Sequence, residues 1–159
     1  MYKVKSISVK TYDLVCLELG LEPFRFVIMR RRLLYLQHIL KQNDSSLVKN
    51  FLMTQMLDLK KKDWGNTVLE DFKDLDINLT FEEIEKMGKQ KYKEIIKAKV
   101  KEKSLEYLVN KKTRRNGKGM RIEHTQLEMQ AYLKTEDSDI NNDERKLLFQ
   151  LRTDMHFKI

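Results

Sequence analysis

Apolar residues recur along most of this chain at intervals of three and four, the spacing that lines one side of an α-helix. The stretch "YDLVCLELG" predicts a first helix over residues 10–19 that stops at Gly20, and Pro23 suits the opening turn of the next, where its missing N–H costs nothing. That second helix is "FRFVIMRRRLLYLQHIL". At 100° per residue Met29, Leu33, Leu36 and Leu40 fall on one side, flanked by Ile28, Tyr35 and Ile39, so protein is expected around most of its circumference. Asp44 or Ser45 can cap a third helix whose Leu47, Val48, Phe51, Leu52 and Met56 share a stripe. "KKKDWGNTVLEDFKDLDI" predicts a fourth, capped by Asp63, with Trp64, Val68, Leu69, Phe72 and Leu75 facing inward. Thr80 and Glu83 in "TFEE" form a capping box for a short helix ending at Gly88. A long helix over residues 89–112 follows, and the two glycines of "TRRNGKG" favour a mobile loop after it. "HTQLEMQAYL" is a short element whose type the pattern leaves open. "NNDERKLLFQLRTDM" predicts a last amphipathic helix capped by Asn141 or Asn142.

Composition agrees with this punctuation. One proline and five glycines leave few breaks in 159 residues, and 41% hydrophobic content can fill one ordinary core. The expectation is an all-α protein: an irregular bundle of about six to seven helices, one of them long and basic, with no sheet of consequence. It is expected to form a single domain, with a main part over residues 1–112, a loop over 113–122 and a short helical part over 123–159. The second helix is no bilayer crossing, because each central arginine would cost about 2.5–3.5 kcal/mol there. The N-terminal "MYKVKSISVKTYDL" alternates charged and apolar residues where a secretory leader would build an apolar core. A lone cysteine, Cys16, excludes an internal disulfide and fits a reducing, intracellular setting, where it serves as a small buried hydrophobe.

Charge changes the picture once it is located. The net charge is +8, yet residues 86–121 hold 14 lysines and arginines against three acids, Glu94, Glu102 and Glu106, so the rest of the chain is net acidic. A basic balance gathered in one stretch is the electrostatic footprint of phosphate contact, although solvated lysine-rich helices are also common. On the long helix Lys93, Lys97 and Lys101 make a row at intervals of four, with Lys111 near the same azimuth, beside an apolar strip of Tyr92, Ile96, Val100 and Tyr107. Lys112, Arg114 and Arg115 extend this basic rail. Few aromatics interrupt it, which favours backbone contact with a duplex over base stacking. In the second helix Arg25 and Arg32 share one line, and Arg31 and His38 another. Guanidinium groups so placed need carboxylate or phosphate partners, and both readings stand for Arg31.

Other chemistry is thin. The acids of "EDFKDLD" and "KTEDSDI" lack the strand-turn setting that converges carboxylates on paired metal ions. His38, His124 and His156 have no second histidine or cysteine three or four residues away. Gly117 and Gly119 lack the flanking strand and helix of a nucleotide loop. No catalytic residue, metal site or cofactor is expected.

Several stretches, taken in order, carry a family resemblance. "LELGLEPFRFVIMRRRLLYLQHIL", "DWGNTVLEDFKDLDINLTFEEIEKMGKQKYKEIIKAKV", "EYLVNKK", "LEMQAYL" and "ERKLLFQLRTDM" together resemble the segment that follows the polymerase core in non-LTR retrotransposon reverse transcriptases. Pro23-Phe24-Arg25-Phe26, Arg31-Arg32-Leu33 and the run from Tyr35 to Leu40 are its most specific part. The resemblance implies a helical region similar to a thumb and connector, which follows the fingers and palm. No aromatic-X-Asp-Asp motif and no Cys/His cluster after Met155 accompany it. The expected function is therefore non-catalytic grip on nucleic acid, an RNA or RNA–DNA duplex held by its backbone. The alternatives are a scaffold that packs on a reverse transcriptase core, and a retroelement remnant without function. No membrane partner is expected.

Overall fold

The computed structural model describes residues 9–57, 63–113, 127–134 and 141–153. Their regular structure is entirely helical: α1 (Val9–Leu19), α2 (Phe24–Leu40), α3 (Leu47–Leu57), α4 (Trp64–Asp74), α5 (Phe81–Lys86), α6 (Lys89–Thr113), a 3-10 turn (Ala131–Leu133) and α7 (Asn142–Thr153). The protein is all-α, as its periodicity predicts. The chain divides into two compact units, Phe24–Lys103 and Met1–Pro23 with Ser104–Ile159, and α6 contributes residues to each.

In the Phe24–Lys103 unit α2 packs against α3, α4 and α5. Its buried positions are Phe26, Met29, Leu33, Leu36, Gln37, Ile39 and Leu40, a wide arc that includes the predicted stripe. Val68, Phe72 and Leu75 of the fourth segment, Ile84 of α5, and Tyr92, Ile96 and Val100 of α6 are buried as well. Tyr92 donates its hydroxyl hydrogen to the Leu33 carbonyl (3.1 Å), and burial pushes its phenol well above the ordinary range. Asp63 caps α4 by accepting the Asn66 N–H at 2.9 Å, and Thr80 with Glu83 forms the capping box of α5. Beyond α4 the chain turns through Asp76 at φ 50°, where the Ile77 N–H reaches the Phe72 carbonyl and the Asp76 N–H that of Lys73.

Two expectations fail around α3. Neither Asp44 nor Ser45 caps it. Asp44 instead accepts from the buried Lys49 ammonium at 2.7 Å, which also reaches Glu85 at 2.8 Å, and so ties α3 to α5. Of the predicted stripe only Leu52 is buried and Met56 half-buried, while Leu47, Val48 and Phe51 are exposed by 83%, 47% and 63%. Spacing decides which residues share a side of a helix; whether a neighbour covers that side depends on the rest of the chain.

The other unit gathers Cys16, Leu17, Leu108 and Leu127 into a buried cluster, with Leu105 and Tyr107 packed against it. Burial pushes the Cys16 thiol up, in keeping with an inert hydrophobe. Gly20 ends α1 at φ 65°, and a Cβ there would lie 2.3–2.6 Å from backbone atoms of Glu128 and Met129, so only glycine permits this approach. The Gln130 N–H then donates to the Glu18 carbonyl at 3.0 Å, fastening the "LEMQAYL" stretch to the end of α1. Asn141 caps α7, accepting the Asp143 and Glu144 N–H groups at 3.0 Å, while the Glu144 carboxylate takes the Asn141 N–H.

Candidate nucleic-acid interface

The arginines of α2 are sorted by what faces them. Arg32 grips Asp71 of α4 with two parallel hydrogen bonds of 2.7 Å, and Asp71 is almost wholly buried. The Asp71 carboxylate holds the Arg32 guanidinium even more firmly protonated than usual. Arg25, about two turns earlier on the same line, sits 3.6 Å from Asp74. Arg31 points away from this pairing surface and is exposed. Of the "EDFKDLD" acids, Asp71, Asp74 and Asp76 therefore each engage a cation, the last through Lys103.

The lysines of α6 divide in the same way. A row repeating every fourth residue drifts about 40° per step around a helix, so neighbouring rows run side by side. Tyr92, Ile96, Val100, Ser104 and Leu108 form one such row, buried throughout. Tyr107, expected in that strip, is only half-buried, because Ser104 and Leu108 continue the row in its place. Lys93, Lys97 and Lys101 each stand one residue further on and are exposed. Lys99 pairs with Glu102 at 3.0 Å, and Gln90 occupies Glu94 at 2.8 Å. Lys103 is turned toward Asp76, whose carboxyl it holds below the usual range. Two acids of the helix are thus engaged by residues outside the exposed row. At 1.5 Å per residue the three lysines span about 12 Å, close to the rise of three to four nucleotides along one strand.

A groove opens at the beginning of this row, with a volume of about 490 Å³ and walls made by Leu34, Tyr35, Gln37, His38, Lys41, Lys89 and Lys93. Its shape is set by the end of α2. Gln37 donates to the Ile84 and Met87 carbonyls (3.0 and 3.1 Å), and Lys41 donates to Met87 at 2.7 Å, which holds the α5–α6 turn beside α2. Tyr35 is 52% exposed. It stacks with His38 at 5.9 Å and 28°, and meets Trp64 edge-on at 6.0 Å and 81°. Among the described residues no acidic side chain lines the groove. Arg31 lies one turn before Tyr35 on α2.

Comparison with protein-family models, with curated proteins and with solved structures returns no match. The candidate interface therefore rests on its own geometry. Of the residues singled out from sequence, Arg31, Lys93, Lys97 and Lys101 are exposed in the Phe24–Lys103 unit. Lys111 and Lys112 belong to the last turn of α6, in the other unit, and Arg114 and Arg115 lie outside the described residues, as do His124, His156 and the "RRNGKG" glycines. Tyr35, His38, Trp64, Lys41 and Lys89 were not singled out as ligand-facing. The available signal was the line shared by Arg31 and His38 on α2; Tyr35, expected to flank the apolar side, instead stands exposed beside His38. Among the described residues no three His, Cys, Asp or Glu side chains gather as metal donors, and no helix is long and apolar enough to cross a membrane.

Proposed function

We propose that this protein is a non-catalytic nucleic-acid-binding helical module, of the kind that follows the polymerase core in non-LTR retrotransposon reverse transcriptases, and that it grips the backbone of an RNA or RNA–DNA duplex. The observation that carries the reading is the exposed Lys93–Lys97–Lys101 row, anchored by a fully buried row beside it. Such a row neutralises phosphates and releases condensed counterions, so binding is insensitive to sequence and sensitive to salt. The direct test is an anisotropy titration of the full chain with a labelled RNA–DNA hybrid of arbitrary sequence. Three phosphate contacts should weaken binding about 20- to 40-fold between roughly 50 and 200 mM salt. Absence of binding at the lower salt would end this reading.

One observation favours a second. Leu47, Val48 and Phe51 give α3 an exposed apolar side, which suits a scaffold packed on another protein such as a reverse transcriptase core. A chain that ignores the hybrid at low salt would have to be explained this way.

A further inference from the structure

We propose that the groove between α2 and the start of α6 takes an unpaired nucleobase, stacked on Tyr35 with its phosphate at Lys89 and Lys93, so that the module prefers a duplex carrying a single-stranded extension. The inference rests on the duplex reading above and adds to it a place where the strand ceases to be paired.

Four features of the groove point to this occupant. Its volume of about 490 Å³ falls within the range of ligand pockets, roughly 300–1,000 Å³. Its aromatic wall is half-exposed and braced, with Tyr35 stacked with His38 and in T-shaped contact with Trp64. Its cations come from α6 and from the turn that follows α2. Lys89 and Lys93 stand one helical turn apart on α6, while Lys41 is held against the Met87 carbonyl and contributes charge without needing to move. Among the described residues its walls contain no carboxylate that would repel a phosphate.

Continuity with the lysine row decides between a free small anion and a strand. Lys93 belongs to both the groove and the row, so a backbone followed along Lys101 and Lys97 arrives at the groove mouth. A base within a duplex has its faces covered by its neighbours, whereas a splayed base offers one to an aromatic ring. Stacking of this kind accepts any base, so no sequence preference is expected.

The test compares two labelled RNA–DNA hybrids of equal paired length, one blunt and one with a single-stranded extension of a few nucleotides, at one salt concentration. The wild-type chain should bind the extended hybrid about 5- to 150-fold more tightly, the range for a stacked base. Tyr35→Ala should abolish that gain, read as the ratio of extended to blunt affinity within each variant, while Tyr35→Phe should retain it by keeping the ring. Trp64 is the sole tryptophan of the chain and touches Tyr35, so its emission should change with the extended hybrid and not with the blunt one. Circular dichroism on each variant checks that the helices persist. Equal affinity of the wild type for both hybrids, or a gain that survives Tyr35→Ala, overturns the groove and leaves the lysine row standing. Failure to bind either hybrid overturns both.

Discussion

Arg31 and Arg32 are adjacent in sequence and unlike in consequence. Arg32 delivers a two-pronged guanidinium to a carboxylate that is 5% exposed, while Arg31 faces solvent one turn from the groove. Removing Arg32 would strand Asp71 in the interior as an uncompensated charge, and that penalty exceeds the net worth of the pair itself. Arg32→Met should therefore lower stability by about 2 kcal/mol, read as a shift in urea midpoint at unchanged slope. Arg31→Gln should cost less than about 0.5 kcal/mol. Equal effects would mean that α2 does not present these neighbours to different surroundings. Sequence could show that the trio fans around the helix, because 100° per residue is a local rule. It could not say which arginine meets Asp71, because that partner lies on another helix.

Most helix ends, which depend on nearby residues, were legible; the start of α3, where Asp44 answers to Lys49, was not, and neither was coverage by remote neighbours. Gly20, Asp63, the Thr80–Glu83 box and Asn141 all act where they are expected, since a cap needs only its own backbone and a side chain two or three residues away. The side of α3 was misjudged for the opposite reason: its neighbours cover Leu52 and leave Phe51 bare. The α4–α5 connection adds a remote electrostatic tie, since Asp76, in its left-handed conformation, pairs with Lys103 of α6. Lys103 lowers the Asp76 carboxyl pKa in the folded chain, so the unfolded chain takes up this proton more readily. The contribution is present above the ordinary carboxylate pKa of about 4 and is lost as pH falls through the depressed folded value. Thermal melts between about pH 5 and pH 2 should accordingly show a smaller acid-induced fall in Tm for Asp76→Asn than for wild type. Parallel curves for the two proteins would show that this pair adds nothing to the pH dependence.

For the whole molecule, net charge is a poor guide and placement a good one. The +8 balance would draw any polyanion weakly, but Lys93, Lys97 and Lys101 gather charge along one exposed side of α6. That row was legible because it follows the helical period. The groove was not, because Tyr35, His38 and Lys41 meet Lys89 and Lys93 only after α2, α5 and α6 have packed. The central claim is that the row itself grips phosphates, and the most direct measurement is the salt dependence of RNA–DNA hybrid binding by two charge-matched triple variants. One changes Lys93, Lys97 and Lys101 to Gln; the other changes Lys73, Lys91 and Lys146, which are also exposed. The row variant should flatten the slope of log affinity against log salt by about 2 to 3, while the control changes it little. Equal flattening in both variants, or none in either, would contradict the account.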